Sequence, residues 1–156
     1  MMINSIMPNM GVGDIYLRRT LSEYSKLLAE KKSQNLLEVK DLDDGTQIYH
    51  LIDMYLELFV DKRNGKICKI AMLKGFEGSF EEKIYVGMTI PEACKNDSRL
   101  YFKESESLMF FEGVKGICVE LGVDDPWPEE LKNLYVDSIA IFAEEAFTFE
   151  GTKGNW

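Results

Sequence analysis

A sequence pattern that occurs twice constrains the fold of this chain most. Residues 15–23 (IYLRRTLSE) and 84–92 (IYVGMTIPE) share the pattern Ile-Tyr-aliphatic-x-x-Thr-aliphatic-x-Glu without a gap. At that separation a chain of 156 residues has room for two copies, whereas solenoid proteins need at least three shorter repeats. The pattern therefore predicts two modules rather than an extended array.

Each copy predicts a short strand that leads into a capped helix. The apolar residues before each threonine are typical of a strand. Thr20 and Thr89 stand where a helix N-cap belongs, and Glu23 and Glu92 follow three residues later, which is the spacing of a capping box. We expect the first helix to continue to about Lys32 with one buried face, and the second helix to be shorter. These residues are structural in this interpretation, not catalytic.

β-forming segments follow each predicted helix. Asn64-Gly65 lies between two apolar runs, and this arrangement is a strong signal for a hairpin. The expected strands cover residues 46–51, 54–60 and 66–73, and then 99–103, 108–111, 116–123 and 136–142. Helices and antiparallel strands grouped in this way predict an α+β fold.

The fold predicted from the repeat is a single domain over residues 1–156, built from two tandem repeats of strand, helix and antiparallel β-meander. The first repeat spans 11–75, the second spans 76–143, and residues 144–156 form a C-terminal tail. A chain of this length buries roughly two-thirds of its unfolded surface, which is enough for a core without disulfides.

Composition argues against several classes of protein. The net charge of −9 predicts repulsion from nucleic acid and from anionic membranes, and attraction to a basic partner. No apolar run is long enough to span a bilayer, and no basic residue precedes Arg18, so we expect neither a secretory signal nor a membrane partner. Three scattered cysteines without a Cys-x-x-Cys motif argue against disulfides and zinc. The expected location is the cytoplasm.

The segment between the last two predicted strands is the first candidate for a binding site. A tryptophan stands there between two prolines and four carboxylates, in a combination typical of a binding hot spot with a charged rim. The alternative interpretation is an acidic surface that only keeps the protein soluble. The candidate residues are Asp124, Asp125, Trp127, Glu129 and Glu130.

The predicted strand 54–60 is the second candidate. Alternation places its aliphatic residues on one face and leaves Tyr55, Glu57 and Phe59 on the other. This outer face is either a partner surface or is covered by the tail, whose aromatic residues either dock on the domain or reach a partner. The aromatic residues of the tail are Phe147, Phe149 and Trp156.

No enzyme site is predicted. His50 is the single histidine, and no serine, threonine or cysteine stands in a nucleophile motif. Cys118 is expected to pack as a small hydrophobic residue. The glycine-containing segments lack the pattern of a phosphate-binding loop. We therefore expect no catalytic residue, no metal ligand and no cofactor.

One segment resembles a known group of proteins. Residues 86–93 (VGMTIPEA) resemble the strand-Gly-Met-Thr-x-x-Glu signature at the strand-to-helix turn of the SmpA/OmlA-type outer-membrane assembly lipoproteins and of the β-lactamase inhibitor proteins. This resemblance implies tandem helix-plus-sheet modules. The chain has no lipobox cysteine near its N-terminus, which argues against the outer-membrane role. Small acidic α+β proteins of this kind also resemble bacterial toxin-immunity proteins.

Together these features predict a non-catalytic inhibitor, an immunity protein that occludes a cognate basic, nuclease-type toxin by imitating its nucleic-acid substrate. Two alternatives remain open. A small-ligand module would use a groove between two sheets, with Tyr16, Tyr85 and Phe76 as walls. An acidic adaptor would bind several basic partners with strong salt dependence. The sequence leaves the oligomeric state open.

Overall fold

In a computed structural model of the chain, which describes residues 5–156, three short strands come first. They are β1 (Ile6–Met7), β2 (Gly11–Val12) and β3 (Ile15–Tyr16), and they form a small antiparallel sheet. A 3-10 turn (Leu21–Tyr24) leads into helix α1 (Ser25–Ser33). The next four strands are β4 (Leu37–Asp41), β5 (Thr46–Leu51), β6 (Leu56–Asp61) and β7 (Ile67–Met72).

Helix α2 (Ile90–Asn96) begins the second half of the chain. It is followed by β8 (Leu100–Lys103), β9 (Leu108–Phe111), β10 (Ile117–Glu120) and β11 (Ser138–Phe142). Further 3-10 turns lie at Ile52–Met54, Pro128–Asn133, Glu144–Phe147 and Gly151–Lys153. The predicted α+β class is confirmed.

Eight strands form one continuous antiparallel sheet in the order β4-β5-β6-β7-β11-β10-β9-β8. Each half of the chain contributes a four-stranded meander, and the last strands of the two meanders, β7 and β11, pair with each other. Ala71 lies directly opposite Ala140 at this junction. That the two halves are copies of one unit stays a prediction.

The two predicted helix caps differ in detail. The Thr89 hydroxyl accepts from the Glu92 N–H at 3.2 Å, and the Glu92 carboxylate accepts from the Thr89 N–H at 3.3 Å, so the predicted capping box forms. In the first copy the Thr20 N–H donates to the Glu23 carboxylate at 3.1 Å. The first turn there is 3-10 and α1 follows it directly, so the predicted helical segment from Thr20 to about Lys32 is confirmed, with a 3-10 rather than an α-helical first turn.

Two strand predictions need correction. Residues 84–86 do not form a strand; Ile84 makes only an isolated bridge to Phe80. Strand β6 begins at Leu56, because Met54 ends a 3-10 turn and Tyr55 adopts a left-handed conformation with φ +55°. The short strand predicted before Thr20 is confirmed as β3, whereas β4 and the other two strands of the small N-terminal sheet were not predicted.

The two faces of the large sheet have different surroundings. One face carries the main core, in which fully buried side chains such as Leu58, Ile70 and Ile139 pack with residues of both helices and of the small sheet. The opposite face holds a second cluster of Ala71, Cys118 and Ala140, and half-buried apolar residues of the same sheet surround it. Among the described residues, no helix contributes to this second cluster. We call this second side the open face.

The C-terminal tail docks on the β6–β7 turn. The Trp156 indole Nε1–H donates to the Asp61 carboxylate at 2.9 Å, and the Lys66 ammonium lies 5.1 Å from the Trp156 ring centroid. The tail carbonyl of Thr152 accepts from the Arg63 guanidinium. The sequence interpretation that tail aromatic residues dock on the domain is therefore confirmed for Trp156, whereas Phe149 is 76% exposed.

Within residues 5–156 no helix has both the length and the apolar character needed to cross a bilayer. The prediction that the chain begins without a secretory signal concerns in part residues 1–4, which lie outside the described residues.

A buried carboxylate after α2 makes the stability of the fold depend on pH. Asp97 is 3% exposed and accepts hydrogen bonds from the Arg99 guanidinium at 2.7 and 2.9 Å. These hydrogen bonds hold the pKa of the Asp97 carboxyl below its ordinary value. Because the pKa is lower in the folded state, ionised Asp97 stabilises the fold above about pH 4, and this contribution is lost as the pH falls through the folded-state pKa.

We therefore expect Asp97→Asn to be less stable than the wild type at neutral pH, with a difference that shrinks below about pH 4. Urea unfolding between neutral pH and about pH 3 measures this. Asp43→Asn, at an exposed position, is the matched control. Its free energy of unfolding should depend on pH in the same way as that of the wild type. If the free energy of unfolding of Asp97→Asn also depends on pH as that of the wild type does, the ion pair with Arg99 does not contribute to stability.

Candidate functional site

One row of directly paired residues crosses all eight strands of the open face. Its side chains are polar at the β4 end, small in the middle and aromatic at the β8 end. Small side chains at the centre of a sheet leave room above them, so the row forms a trough between a polar side and an aromatic side. In order from β4 to β8 the row is Glu38, His50, Glu57, Ala71, Ala140, Cys118, Phe110 and Tyr101.

A hollow of about 660 Å³ lies over part of the open face, and we call it the acidic hollow. Six carboxylates line it, and its lining includes no lysine, arginine or histidine. Carboxylates that converge on one concave site focus a negative potential there. The six are Glu57, Glu106, Glu120, Asp124, Asp125 and Asp137.

Some of these carboxylates are held in place by neighbours. Glu120 accepts from the Ser138 hydroxyl at 2.7 Å and pairs with the Lys69 ammonium at 3.1 Å. The Asp125 carboxylate accepts from the Ser107 hydroxyl at 2.9 Å. Within residues 5–156, Glu57, Asp124 and Asp137 form no ion pair. The hollow thus combines fixed carboxylates with carboxylates that have capacity for a cation.

A second hollow of about 540 Å³ adjoins the first, and we call it the aromatic hollow. The two share Glu106 and Leu108 in their linings. Cys118 contributes to its lining from β10, where burial raises the pKa of the thiol to about 12. The thiol therefore stays protonated and packs as an apolar group, as predicted. The aromatic side chains of the lining are Tyr101, Phe110, Phe111, Phe142 and Phe147.

Two of the three lysines that line the aromatic hollow, Lys69 and Lys103, are already engaged, whereas Lys115 forms no ion pair within residues 5–156. Lys69 lies 4.6 Å from the Phe59 ring centroid and pairs with Glu120. Lys103 lies 5.4 Å from the Phe110 ring centroid and pairs with Glu106 at 2.6 Å. Carboxylates neutralise these two ammonium groups and aromatic faces contact them, so apart from Lys115 and Glu144 the hollow offers mainly apolar surface to a ligand.

The tail supplies one wall of the aromatic hollow. The Phe147 ring meets the Phe142 ring edge-on, with centroids 5.6 Å apart. The neighbouring Glu145 is held by the Arg18 guanidinium at 2.5 and 2.7 Å, and these hydrogen bonds lower the pKa of the Glu145 carboxyl. Arg18 thus fixes the start of the tail beside the open face.

The structure brings some of the predicted site residues together and separates others. Glu57 and Phe59 of β6 line the acidic hollow together with Asp124 and Asp125 of the β10–β11 connection. The two predicted candidates therefore meet at one site, although they lie far apart in sequence.

Trp127, Glu129 and Glu130 lie apart from this site. Trp127 is 68% exposed and stands at the N-cap of the turn Pro128–Asn133. The end of this turn is tied to α2, where the Ile90 N–H donates to the Leu134 carbonyl at 2.9 Å. Trp127 lines neither the acidic nor the aromatic hollow.

Tyr55 also lies apart from the acidic hollow. Its left-handed backbone removes it from the alternation of β6, so the prediction that it shares a face with Glu57 and Phe59 is wrong. Tyr55 instead lines a hollow of about 330 Å³ together with Gly75 and Phe76.

The walls predicted for a small-ligand groove do not meet in that third hollow. Phe76 lines it, but Tyr16 and Tyr85 do not. The Tyr16 ring lies instead under the Arg19 guanidinium, 4.9 Å from its centroid. A small-ligand groove between two sheets stays a prediction.

Several residues of the two hollows are not predicted as site residues from the sequence alone. Phe110, Phe142 and Asp137 each lie in or beside a segment that was predicted as a strand. Alternation within those segments could have placed Phe110 and Phe142 on one face. Only the pairing of β11 with β7 and β10, however, shows that they share this face with β6.

Other features add no chemistry of their own. Within residues 5–156 no group of three or more His, Cys, Asp and Glu side chains is arranged to hold a metal ion. His50 lies 3.6 Å from Glu38 on the open face. Burial raises the pKa of the Cys68 thiol to about 11, so this thiol is also protonated.

Comparisons of the chain with protein-family models, with curated proteins and with solved structures find no match. The geometry and charge of the open face are therefore the basis on which a function is inferred.

Proposed function

We propose that this chain is a non-catalytic inhibitor, an immunity protein that binds and occludes a cognate basic, nuclease-type bacterial toxin in the cytoplasm. The acidic hollow is the observation that carries the proposal. Six carboxylates converge there, on a sheet face to which no described helix contributes a buried residue. Lysines pair with Glu106 and Glu120, and the other four carboxylates form no ion pair within residues 5–156. No cofactor is part of this mechanism.

The charges of the hollow suit such a target. A nuclease presents lysine and arginine side chains to the phosphates of its substrate. Carboxylates held in a concave site resemble that row of negative charges, so they attract the toxin and pair with the same cationic groups. Occupation of those groups excludes the nucleic acid from the toxin.

The rigidity of the hollow supports tight binding. Glu120 lies on β10, and its carboxylate is fixed by Ser138 of β11 and Lys69 of β7. These three strands are neighbours in the large sheet. Because the carboxylate is oriented before binding, less conformational entropy is lost when the complex forms.

The same proposal includes the origin of the fold as a tandem repeat. In each half a helix is followed by a four-stranded meander, and the sheet order runs from the edge to the centre in both halves. The repeated sequence pattern stands at the start of each helix region. These two observations support the view that the halves are copies of one unit.

Charge reversal inside and outside the acidic hollow tests the proposal. The partner is first captured from the source lysate at physiological salt and is tested for nuclease activity. We expect Asp124→Lys combined with Asp137→Lys to weaken the complex at least about 100-fold, because repulsion replaces two attractive contacts. Surface plasmon resonance and inhibition of the nuclease activity measure the effect.

Glu129→Lys combined with Glu130→Lys is the matched control. It changes the net charge by the same amount at exposed positions outside the hollow, so we expect an effect below about fivefold, mainly on the association rate. Trp127→Ala shows whether the interface extends beyond the hollow. Equal effects of the two double variants, or a captured partner that is neither basic nor a nuclease, would contradict the proposal.

A further inference from the structure

The acidic and aromatic hollows are aligned along one strand. Cys118 lines the aromatic hollow, and Glu120, two residues later on β10, lines the acidic hollow. Alternate residues of a strand point to the same face and are separated by about 7 Å. Cys118 and Glu120, one in each lining, are therefore spaced like the side chains i and i+2 of an extended chain.

The hollows differ in what they accept. The aromatic hollow has walls of Phe110, Phe142 and Phe147 over a protonated thiol, and its volume of about 540 Å³ admits a large aromatic side chain. The acidic hollow has capacity for a cation at Glu57, Asp124 and Asp137. An acidic side chain of a partner would be repelled there. A wholly apolar side chain would remove water from the carboxylates without forming an ion pair with them.

We propose that the open face binds an extended segment of the partner that carries an aromatic residue and, two positions later, an arginine or lysine. The aromatic side chain fills the aromatic hollow, and the cation enters the acidic hollow. This inference rests on the proposed function and specifies the part of the basic partner that is recognised. It also assigns the apolar anchor to the sheet face instead of to Trp127.

Short synthetic peptides provide the probe. The test peptide is acetyl-Gly-Trp-Ser-Arg-Gly-amide, which is titrated into the full chain at physiological salt and followed by two-dimensional NMR. We expect resonances of Cys118, Glu120 and Phe147 to shift. Loss of the indole should weaken binding about tenfold, since burial of a large aromatic side chain contributes at least that much. Loss of the cation should have an effect of similar size, because the carboxylates of the acidic hollow lose their partner.

Three control peptides define the recognition. One replaces Trp by Ala, one replaces Arg by Ala, and one exchanges the order to Trp-Arg-Ser so that the cation lies at i+1. Since alternate side chains of an extended chain point the same way, the exchanged peptide should bind about as weakly as the peptide that lacks its cation. Equal affinity of the original and exchanged peptides would overturn the proposed register.

Two variants on the same tail test the aromatic hollow from the side of the protein. Phe147→Ala removes one wall and should weaken the test peptide about fivefold or more. Phe149→Ala is the matched control, because Phe149 is more exposed than Phe147 and does not line the hollow. Neither residue is in the main core.

The outcomes separate this inference from the proposed function. If the peptide without Arg does not bind, while the peptide without Trp and the variant Phe147→Ala bind normally, the proposed role of the aromatic hollow is wrong. The acidic hollow then remains the proposed site for a cation. If no peptide shifts the open-face resonances, the inference is wrong, and the proposed function is judged by the charge-reversal experiment on the captured toxin alone.

Discussion

We expect Ile139→Ala to lower the free energy of unfolding by about 3 kcal/mol. Ile139 is fully buried near the start of β11, opposite Met72 of β7 and Val119 of β10. Truncation removes the transfer energy of three carbons and leaves a cavity that the paired strands cannot close, because their backbones are fixed by the sheet. Urea unfolding followed by far-ultraviolet circular dichroism measures the loss.

The matched control is Val39→Ala on the edge strand β4, where the side chain is 50% exposed. We expect a change within about 0.5 kcal/mol there. If Ile139→Ala costs no more than the control, the main core does not pass through β11 as the sheet order implies.

The same experiment tests how the two halves depend on each other. Since β7 and β11 join the two meanders into one sheet, both halves should unfold in a single transition, and the m value of the variant should equal that of the wild type. Trp156 docks on the β6–β7 turn of the first half and Trp127 lies in the second half. Fluorescence of variants that keep one tryptophan should therefore follow the same curve, and two separate transitions would contradict a single domain.

Local signals in the sequence predict the parts of this fold that depend on neighbouring residues alone. The Thr89 cap forms because its partner Glu92 lies in the same turn, and β5 and β9 have the predicted bounds because alternation and flanking turns define them. Tyr55 is the exception. Its left-handed backbone follows from the 3-10 turn before it, whose Ile52 carbonyl accepts from the Tyr55 N–H, and the β-forming composition of the segment conceals that turn.

The site could be predicted only in part, because its two sides come together through long-range strand pairing. The sequence marks Glu57 and Asp124 as separate acidic candidates, and the pairing of β7 with β11 places them in one hollow. Proximity in sequence groups Trp127 with Asp124. The buried Pro126 between them and the turn toward α2 separate the two in space.

Gly116→Ala is expected to destabilise the fold strongly, by about 3 kcal/mol or more. Gly116 precedes β10, and its carbonyl accepts from the Asn9 N–H at 3.1 Å and from the Phe142 N–H at 3.0 Å. It therefore ties the small N-terminal sheet to the edge of the open face. Its φ of +74° is unfavourable for alanine, and a Cβ at this position would stand 2.6 Å from the Asn9 Cα.

Gly65→Ala separates the two causes of that loss. Gly65 also has a φ of +74°, but a Cβ there would meet no heavy atom within 4 Å. We expect Gly65→Ala to cost only the backbone strain of about 1–2 kcal/mol, so the additional loss in Gly116→Ala measures the close approach of Asn9. Urea unfolding of both variants gives this difference. If both variants lose the same free energy of unfolding, the turn at Asn9 accommodates the added Cβ without an energetic penalty. Gly116 would then act through its backbone conformation alone.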